Sequence, residues 1–177
     1  MMKILLIGPQ GSGKTTQGKL LSEFLKVPFI VTGDILRAIT SSDTEEGKRI
    51  KGILESGNLV DDETVIKLIR ERVSKDDCQN GFILDGYPRT LEQAKRIEDL
   101  NFDKAIYFKA PKEVVLDRLL KRGRIDDTKE LIQKRLELYF QQTESLLEYY
   151  RNKGLLLEVS GEGEIEKIQQ ELRKSLG

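Results

Sequence analysis

Short apolar runs alternate with longer amphipathic stretches along this chain. The apolar runs have the length and composition of buried strands and are KILLIG (3–8), PFIV (28–31), FILD (82–85), AIYF (105–108) and LLLEV (155–159). The stretches around them have helical periodicity and cover 14–26, 34–40, 44–55, 62–74, 90–99, 111–121, 128–150 and 164–175. Strands that are separated by helices need crossover connections. The pattern therefore predicts an α/β fold with a parallel sheet and helices on both faces.

The segment 32–61 departs from this pattern because it has few apolar residues for its length. The chain has 177 residues and neither a repeat nor a long Gly, Ser or Pro linker. That length is enough for one domain with a sizeable core. We therefore expect a single domain from whose core 32–61 is an excursion.

The charges of the chain balance, with 30 Lys and Arg residues against 30 Asp and Glu residues. A protein that binds nucleic-acid polymers or membrane surfaces is usually basic overall. We therefore expect no nucleic-acid polymer and no membrane among the partners, although a local basic cleft is compatible with zero net charge. The N-terminal MMKILLIGPQ is too short for a span and has no signal-peptide layout, so we expect a cytoplasmic enzyme or binding protein.

Cysteine and histidine are nearly absent, which narrows the chemistry. Cys78 is the single cysteine and there is no histidine. These numbers exclude an internal disulfide and all Ser-His or Cys-His catalytic schemes. They also leave no soft metal site, so no structural zinc is expected.

The strongest local signal is GPQGSGKT (8–15), which matches G-x-x-x-x-G-K-[ST] at every fixed position. Its three glycines allow a tight turn and a close approach of the backbone to a ligand. Main-chain N–H groups and the positive end of the next helix then point at phosphate oxygens. Lys14 reaches the outer phosphates, and Thr15 or Thr16 offers a hydroxyl to magnesium or to a phosphate oxygen. The position between an apolar strand and a helix favours this interpretation over a chance glycine-rich turn.

A second polar group stands where another predicted strand ends. Asp85 completes FILD, and the turn at Gly86 and Pro88 follows directly. An acid at the carboxyl end of a strand beside a phosphate loop can hold magnesium, usually through water, or it can be a cap or turn residue. Arg89 lies at the same edge, and alone it would be interpreted as a solvated surface arginine.

Five further motifs follow the phosphate loop in order: TGDILR (32–37), GNLVDDE (57–63), GFILDGYPRTLEQA (81–94), RLLKRGRIDD (118–127) and IQKRL (132–136). Together with the phosphate loop they resemble the adenylate kinase family of nucleoside monophosphate kinases over essentially the whole chain. The resemblance implies the reaction ATP + AMP ⇌ 2 ADP with magnesium. It also implies a P-loop NTPase-type fold of three α/β/α layers, with a five-stranded parallel sheet, a small helical monophosphate-binding segment and a lid over ATP.

The resemblance also implies roles for individual residues of this sequence. For ATP it implies Gly11, Ser12, Gly13, Lys14, Thr15 and Thr16 at the phosphates, Arg118 and Arg122, and Gly163 near the base. For AMP it implies Thr32, Gly33, Arg37, Leu59, Val60, Gly86, Tyr87, Arg89, Gln93, Arg124 and Arg135. Among these, Arg37 and Arg89 would hold the AMP phosphate. Gln93 would bind the adenine edge, because an amide donates and accepts together.

The density of positive charge in RLLKRGRIDD (118–127) fits phosphoryl transfer. The expected catalytic residues are Lys14, Arg89, Arg118, Arg122, Arg124 and Arg135, with Asp85 and Thr15 at magnesium. A phosphoryl group in transfer spreads negative charge over its oxygens, and the planar fork of arginine binds two oxygens at once. The alternative is a solvated helix end whose arginines favour the helix dipole.

In the family a lid is inserted between the counterparts of Arg122 and Arg124, but here only Gly123 separates them. We therefore expect a chain without a lid. Its expected parts are a core of 1–31, 62–121 and 128–177, a monophosphate-binding segment of 32–61, and a residual lid turn of 122–127. Asp126 and Asp127 would either tether the neighbouring arginines or cap the helix that begins near residue 128.

Two positions depart from the family, which usually has proline where Gln10 stands and glycine where Thr15 stands, and this leaves the role of Thr15 open. The expected partners are ATP, AMP and ADP, for a monomer or small homo-oligomer. One rival interpretation is a UMP/CMP kinase. Such kinases tend to have a smaller residue at the position of Thr32 and asparagine at that of Thr90. Another rival is a nucleotide-sensing module without turnover.

Overall fold

The architecture is a five-stranded, wholly parallel sheet between two layers of helices, seen in a computed structural model that describes residues 1–56, 60–122 and 128–177, without the side chains of Arg122 and Arg135. The strands are β1 (Met2–Ile7), β2 (Phe29–Val31), β3 (Gly81–Asp85), β4 (Lys104–Lys109) and β5 (Leu156–Ser160). The helices are α1 (Lys14–Leu25), α2 (Thr32–Thr40), α3 (Glu45–Glu55), α4 (Asp62–Val73), α5 (Leu91–Arg96), α6 (Lys112–Arg122), α7 (Lys129–Asn152) and α8 (Ile165–Leu176). Short 3-10 turns follow α4 at Asp76–Cys78 and α5 at Glu98–Leu100.

The strand order β2-β3-β1-β4-β5 confirms the predicted parallel sheet and its five strands. β1 lies in the middle, where Leu6 pairs with Asp85 of β3 and with Ile106 of β4. From β1 the chain passes β3 to form β2 at one edge of the sheet, and after β3 it passes β1 to form β4 on the other side. Open α/β sheets bind ligands beyond the carboxyl ends of the strands at such a reversal, and both the phosphate loop and Asp85 lie there.

Successive side chains of β1 point to opposite faces of the sheet and so pack into two separate layers of the core. Leu5 and Ile7 pack into the cluster that includes residues of α4, α5 and α7, whereas Ile4 and Leu6 pack with residues of α1 and α8. All four side chains are at most 4 % exposed. A strand that is buried on both faces is apolar at every position, which explains why the strands could be recognised as continuous apolar runs.

The bounds of every predicted helix shift by one to three residues at one or both ends, and two of these shifts have an identifiable cause or consequence. The helix predicted over 34–40 begins at Thr32, so Thr32 is not its cap but its first residue. The helix predicted over 90–99 begins after the cap Thr90 and ends at Arg96. Ile97 leaves the helical conformation and is fully buried in the core, so packing of its side chain ends the helix where sequence periodicity would continue it.

A side-chain cap marks the start of α7. Thr128 accepts a hydrogen bond from the main-chain N–H of Leu131. The alternative that Asp126 or Asp127 caps this helix is therefore wrong, because Thr128 occupies the cap position. Asp126 and Asp127, like the whole predicted lid turn after Arg122, lie outside the described residues. Within the described ranges no helix is both long enough and apolar enough to cross a membrane.

Candidate active site

The phosphate loop joins β1 to α1 and leaves the first turn of α1 open. Gly11 and Gly13 have φ values of 84° and 86°, in the left-handed region that favours glycine. Gly13 stands at the N-cap of α1 and makes no side-chain cap. The first turn of α1 has no acidic residue, whereas each of the helices α2 to α8 has one. The positive end of α1 is thus available to an anion.

Lys14, Thr15 and Asp85 meet at the mouth of this loop. The Oγ1 of Thr15 donates a hydrogen bond of 2.9 Å to Oδ2 of Asp85, and Nζ of Lys14 lies 3.6 Å from Oδ1. Asp85 is the last residue of β3 and is 2 % exposed. Its Oδ1 has no hydrogen-bond partner among the described residues. A buried carboxylate whose oxygen is ion-paired but accepts no hydrogen bond has, beside a phosphate loop, the donor chemistry that a hard cation such as magnesium prefers.

A cavity of about 310 Å³ opens beside the loop and is lined by Gly11, Gly13, Lys14, Thr15, Thr16, Arg118 and Leu119. Arg118 reaches it from α6. Its Nη1 donates hydrogen bonds of 3.0 Å to the carbonyls of Gly11 and Gly161. Arg118 therefore stands at the predicted ATP side, and in this conformation it also ties the phosphate loop to the loop after β5. The contact between Arg118 and Gly161 was not predicted from the sequence.

Two other predicted ATP residues, Ser12 and Gly163, present no side-chain group to the cavity. Ser12 is 1 % exposed, and its Oγ does not line the cavity. Gly163 has a φ of 116° in the turn before α8, with open space around its α-carbon. Both positions can offer only main-chain groups to a nucleotide in this conformation. Arg122, Arg124 and Arg135 fall outside the described side chains.

The predicted AMP residues gather at the ends of β2 and β3. Thr32 is buried, and its hydroxyl donates a hydrogen bond of 3.2 Å to the carbonyl of Asp85. A β-carbon built on Gly86 would lie 3.6 Å from Cβ of Thr32, so the Thr32 side chain stands close to the main chain of Gly86. Arg89 is exposed, and its Nε donates to the carbonyl of Gly86 at 3.1 Å. The structure thus places Thr32, Gly86 and Arg89 together at one edge of the sheet.

Gln93 is held by partners on both ends of its amide. Its Oε1 accepts a hydrogen bond of 2.7 Å from the main-chain N–H of Arg89, and its Nε2 donates one of 2.9 Å to Oδ1 of Asp62. Asp62 is the first residue of α4 and was not among the predicted site residues. Its charge adds to burial, the larger cause, in raising the pKa of Tyr87.

The side chain of Arg37 does not join the other predicted AMP residues in this conformation. It is exposed, pairs with Asp34 one turn earlier on α2, and lies close to the α-carbon of Gly33. Val60 is half-buried and packs against the core, as its apolar character suggests. Leu59 is outside the described residues. The structure therefore does not bring Arg37 into contact with Arg89.

Tyr139 on α7 also belongs to this region and was not predicted. Its hydroxyl oxygen is buried. Burial raises the pKa of Tyr139, and the charges of Arg89 and Asp85 are near enough to affect it as well. Its position one helical turn after Arg135 was the signal in the sequence, since residues four apart share a helix face.

Other features of the described part of the chain lie outside this site. A wider groove of about 440 Å³ is lined by Glu63, Ile66, Lys67, Arg70, Glu71 and Arg96, and none of them belongs to the phosphate loop. No group of three or more His, Cys, Asp or Glu residues that could bind a metal occurs in the described ranges. A divalent cation here would therefore need ligands from water and from the nucleotide itself.

The open end of α1, the glycine-rich loop and the Lys14–Asp85 pair define a nucleoside triphosphate-binding protein of the P-loop class. Comparison with known proteins narrows this class. A family model described as adenylate kinase matches residues 6–155. The chain belongs to the adenylate kinase family of nucleoside monophosphate kinases, which are phosphotransferases.

Individual relatives agree with the family model. An adenylate kinase from Nocardia farcinica is 41 % identical over 182 residues, with 99 % of each chain covered. Adenylate kinase 1 from a Nostoc species is 39 % identical over 183 residues and the full length of both chains. The alignment with adenylate kinase from Clostridium acetobutylicum, at 37 % identity, runs over 213 residues and covers 99 % of both chains. That relative is longer than the 177 residues of this chain.

Proposed function

We propose that this chain transfers the terminal phosphoryl group of ATP reversibly to AMP and so forms two molecules of ADP. The observation that carries the proposal is the meeting of Lys14, Thr15 and Asp85 at the uncapped end of α1. This arrangement provides main-chain donors, a cation and a carboxylate at one point. Family membership supports the choice of AMP as the acceptor.

On the ATP side, the proposed ligands of the phosphates are the main-chain N–H groups of Gly11–Thr16 and the ammonium group of Lys14. Arg118 would add positive charge, since it already lines the cavity beside them. Phosphoryl transfer depends on positioning and on charge stabilisation, and these groups supply both. Arg122 near the phosphates and Gly163 near the base complete the proposed ATP set.

Asp85 and Thr15 would hold magnesium, Asp85 through water. Oδ1 of Asp85 supports this assignment, because it is buried, has no hydrogen-bond partner among the described residues, and is offset by the 3.6 Å ion pair with Lys14 alone, which leaves it able to accept from a metal-bound water. Magnesium held there would supply positive charge against the negative charge that develops during phosphoryl transfer. The hydroxyl of Thr15 already bonds to Asp85 and therefore orients the carboxylate before any cation arrives.

On the AMP side, Arg37 and Arg89 would bind the phosphate, and Gln93 would bind the adenine edge. Arg37 must leave Asp34 to do so, and a dianionic phosphate is the stronger partner for a guanidinium group. The remaining proposed AMP residues are Thr32, Gly33, Leu59, Val60, Gly86, Tyr87, Arg124 and Arg135. Of these, Thr32 lies close to Gly86 and donates its hydroxyl hydrogen to the carbonyl of Asp85.

We further propose that 32–61 closes over AMP while the rest of the core stays fixed, and that 122–127 is only the remnant of a lid. The longer alignment with the Clostridium acetobutylicum relative supports a missing segment. With AMP bound, Arg37 would be drawn towards Arg89 by their common ligand. The enzyme we propose is cytoplasmic and works as a monomer or small homo-oligomer.

The proposal is tested by measuring ADP formed from MgATP with AMP, CMP or UMP as the acceptor. An adenylate kinase gives much the highest kcat/KM with AMP. Preference for CMP or UMP would instead indicate a pyrimidine nucleotide kinase. Tight nucleotide binding without ADP formation would indicate a sensing module.

A further inference from the structure

The amide of Gln93 has a fixed orientation. Its two partners differ in kind: the main-chain N–H of Arg89 can only donate, and an ionised carboxylate such as that of Asp62 can only accept. The observed contacts of 2.7 Å to Oε1 and 2.9 Å from Nε2 therefore agree with one orientation of the amide. Rotating the amide by half a turn would place two donors together at Arg89 and two acceptors together at Asp62.

Asp62 is available for this task because its neighbour performs the capping. Asp61 is the N-cap of α4, and its carboxylate accepts hydrogen bonds of 2.8 Å from both the main-chain N–H and the hydroxyl of Thr64. Asp62 is half-buried at the first turn of the helix and reaches Gln93, which is 31 positions away in the sequence. The two adjacent carboxylates thus have separate roles.

A fixed amide distinguishes bases by the order of their hydrogen-bonding groups. After the two contacts, Nε2 retains one hydrogen and Oε1 retains one lone pair. Adenine presents an amino donor beside a ring-nitrogen acceptor. Hypoxanthine has the same size and shape, but it presents a carbonyl acceptor beside a ring N–H donor. An amide that cannot rotate can pair with the first order and opposes the second at both positions.

We propose that Asp62 is a specificity-determining residue of the acceptor site. By holding Gln93 in one orientation, it makes the site select bases with an amino group over bases with a keto group. The inference rests on the proposed function, in which Gln93 binds the adenine edge. Asp62 acts through Gln93 and is therefore a positioning residue with no part in the transfer itself.

The test compares AMP with IMP as acceptors for the full chain and for Asp62→Asn, at saturating MgATP. Asparagine has the shape of aspartate, but its amide can donate as well as accept, so the constraint at Nε2 is lost while that of Arg89 remains. We expect the ratio of kcat/KM for AMP to that for IMP to fall about tenfold, which corresponds to ~1.4 kcal/mol. The kcat with AMP and the KM for MgATP should stay within about threefold of the parent values. A change of that size is what an energetically minor substitution produces.

Asp61→Asn is the matched control, because it removes the same charge one position away and keeps a good N-cap residue. It should retain the AMP preference of the parent chain. An equal fall in both variants would mean that charge alone sets the preference, and it would overturn the role of Asp62. Equilibrium binding of AMP and IMP without ATP gives the same ratio if a variant no longer turns over.

Gln93→Ala distinguishes the proposed role of Gln93 in binding the base from the proposed role of Asp62 in orienting Gln93. If this variant keeps the parent AMP/IMP ratio, Gln93 does not bind the base, and that assignment fails together with the inference. If Gln93→Ala lowers the ratio and Asp62→Asn does not, only the role of Asp62 fails. A parent chain that uses IMP as well as AMP would also contradict a fixed amide.

Discussion

Thr15 donates its hydroxyl hydrogen to Oδ2 of Asp85 at 2.9 Å, and this bond joins the first turn of α1 to the end of β3. The family resemblance places glycine at this position, which has no side chain to make such a bond. The threonine therefore gives the phosphate loop a direct link to the buried carboxylate. The sequence left the role of Thr15 open, and the bond to Asp85 suggests one that can be measured.

Replacing Thr15 by Val removes the hydroxyl and keeps the shape of the side chain. We expect the magnesium concentration that supports half-maximal transfer to rise about tenfold, because residues that orient a metal-binding group typically contribute at least that much to metal affinity. Binding of Mn²⁺ in the presence of ATP, followed by its paramagnetic signal, gives a readout that is independent of turnover. Thr15→Ser is the control and should bind Mn²⁺ like the parent chain. Unchanged affinity in Thr15→Val would exclude the hydroxyl from the metal site.

Replacing Lys14 by Met should reduce ADP formation at least about a hundredfold, which is the loss seen when one donor to transition-state charge is removed. The fold should persist, since Lys14 is the first residue of α1, lines the cavity beside the phosphate loop, and has the 3.6 Å contact with Asp85 as its described ion pair. Lys19→Met makes the same change on an exposed position of the same helix and should be near normal. A folded Lys14→Met protein with normal turnover would remove this lysine from the mechanism.

Asp61 gives a prediction about stability and pH. Hydrogen bonds from the main chain and the hydroxyl of Thr64 lower the pKa of Asp61 below its ordinary value. A depressed pKa in the folded state means that the carboxylate stabilises the fold above the unfolded pKa of about 4. That contribution disappears as the pH falls through the folded value.

We therefore expect Asp61→Ala to lower the free energy of unfolding by about 1 kcal/mol at pH 7, a typical cost for losing an N-cap. Chemical denaturation of the variant and the parent at several pH values measures the difference, which should shrink below pH ~4. Asp61→Asn keeps a capping oxygen and should be much closer to the parent at pH 7. A difference between Asp61→Ala and the parent that does not depend on pH would contradict the role of the ionised carboxylate.

The parts that could be predicted from sequence are those that local patterns determine. A strand buried on both faces is apolar throughout, so β1 and β3 were recognisable, and the glycine-rich stretch between β1 and α1 was recognisable from spacing alone. The end of α5 could not be predicted, because it depends on where Ile97 finds space in the core. Periodicity within a helix carries no information about that space.

Contacts between residues that are far apart in the sequence also could not be predicted. Arg118 was expected at ATP, but its bonds to the carbonyls of Gly11 and Gly161 link positions 107 and 43 residues away. The bond between Gln93 and Asp62 is of the same kind. Both follow from the arrangement of loops at the carboxyl edge of the sheet. The motifs identify which residues gather there, and only the fold shows which of them touch.

The proposed transfer from ATP to AMP, with a site closed by 32–61 alone, has a direct test in one preparation of the chain. ADP formation with MgATP and AMP is compared with phosphate release from MgATP without AMP, at several protein concentrations. We expect the first rate to exceed the second at least about a thousandfold, equivalent to ~4 kcal/mol in barrier height, at every dilution. A ratio near one would contradict the account, since the chain would then be a simple ATPase. A ratio that collapses on dilution would contradict closure within a single chain.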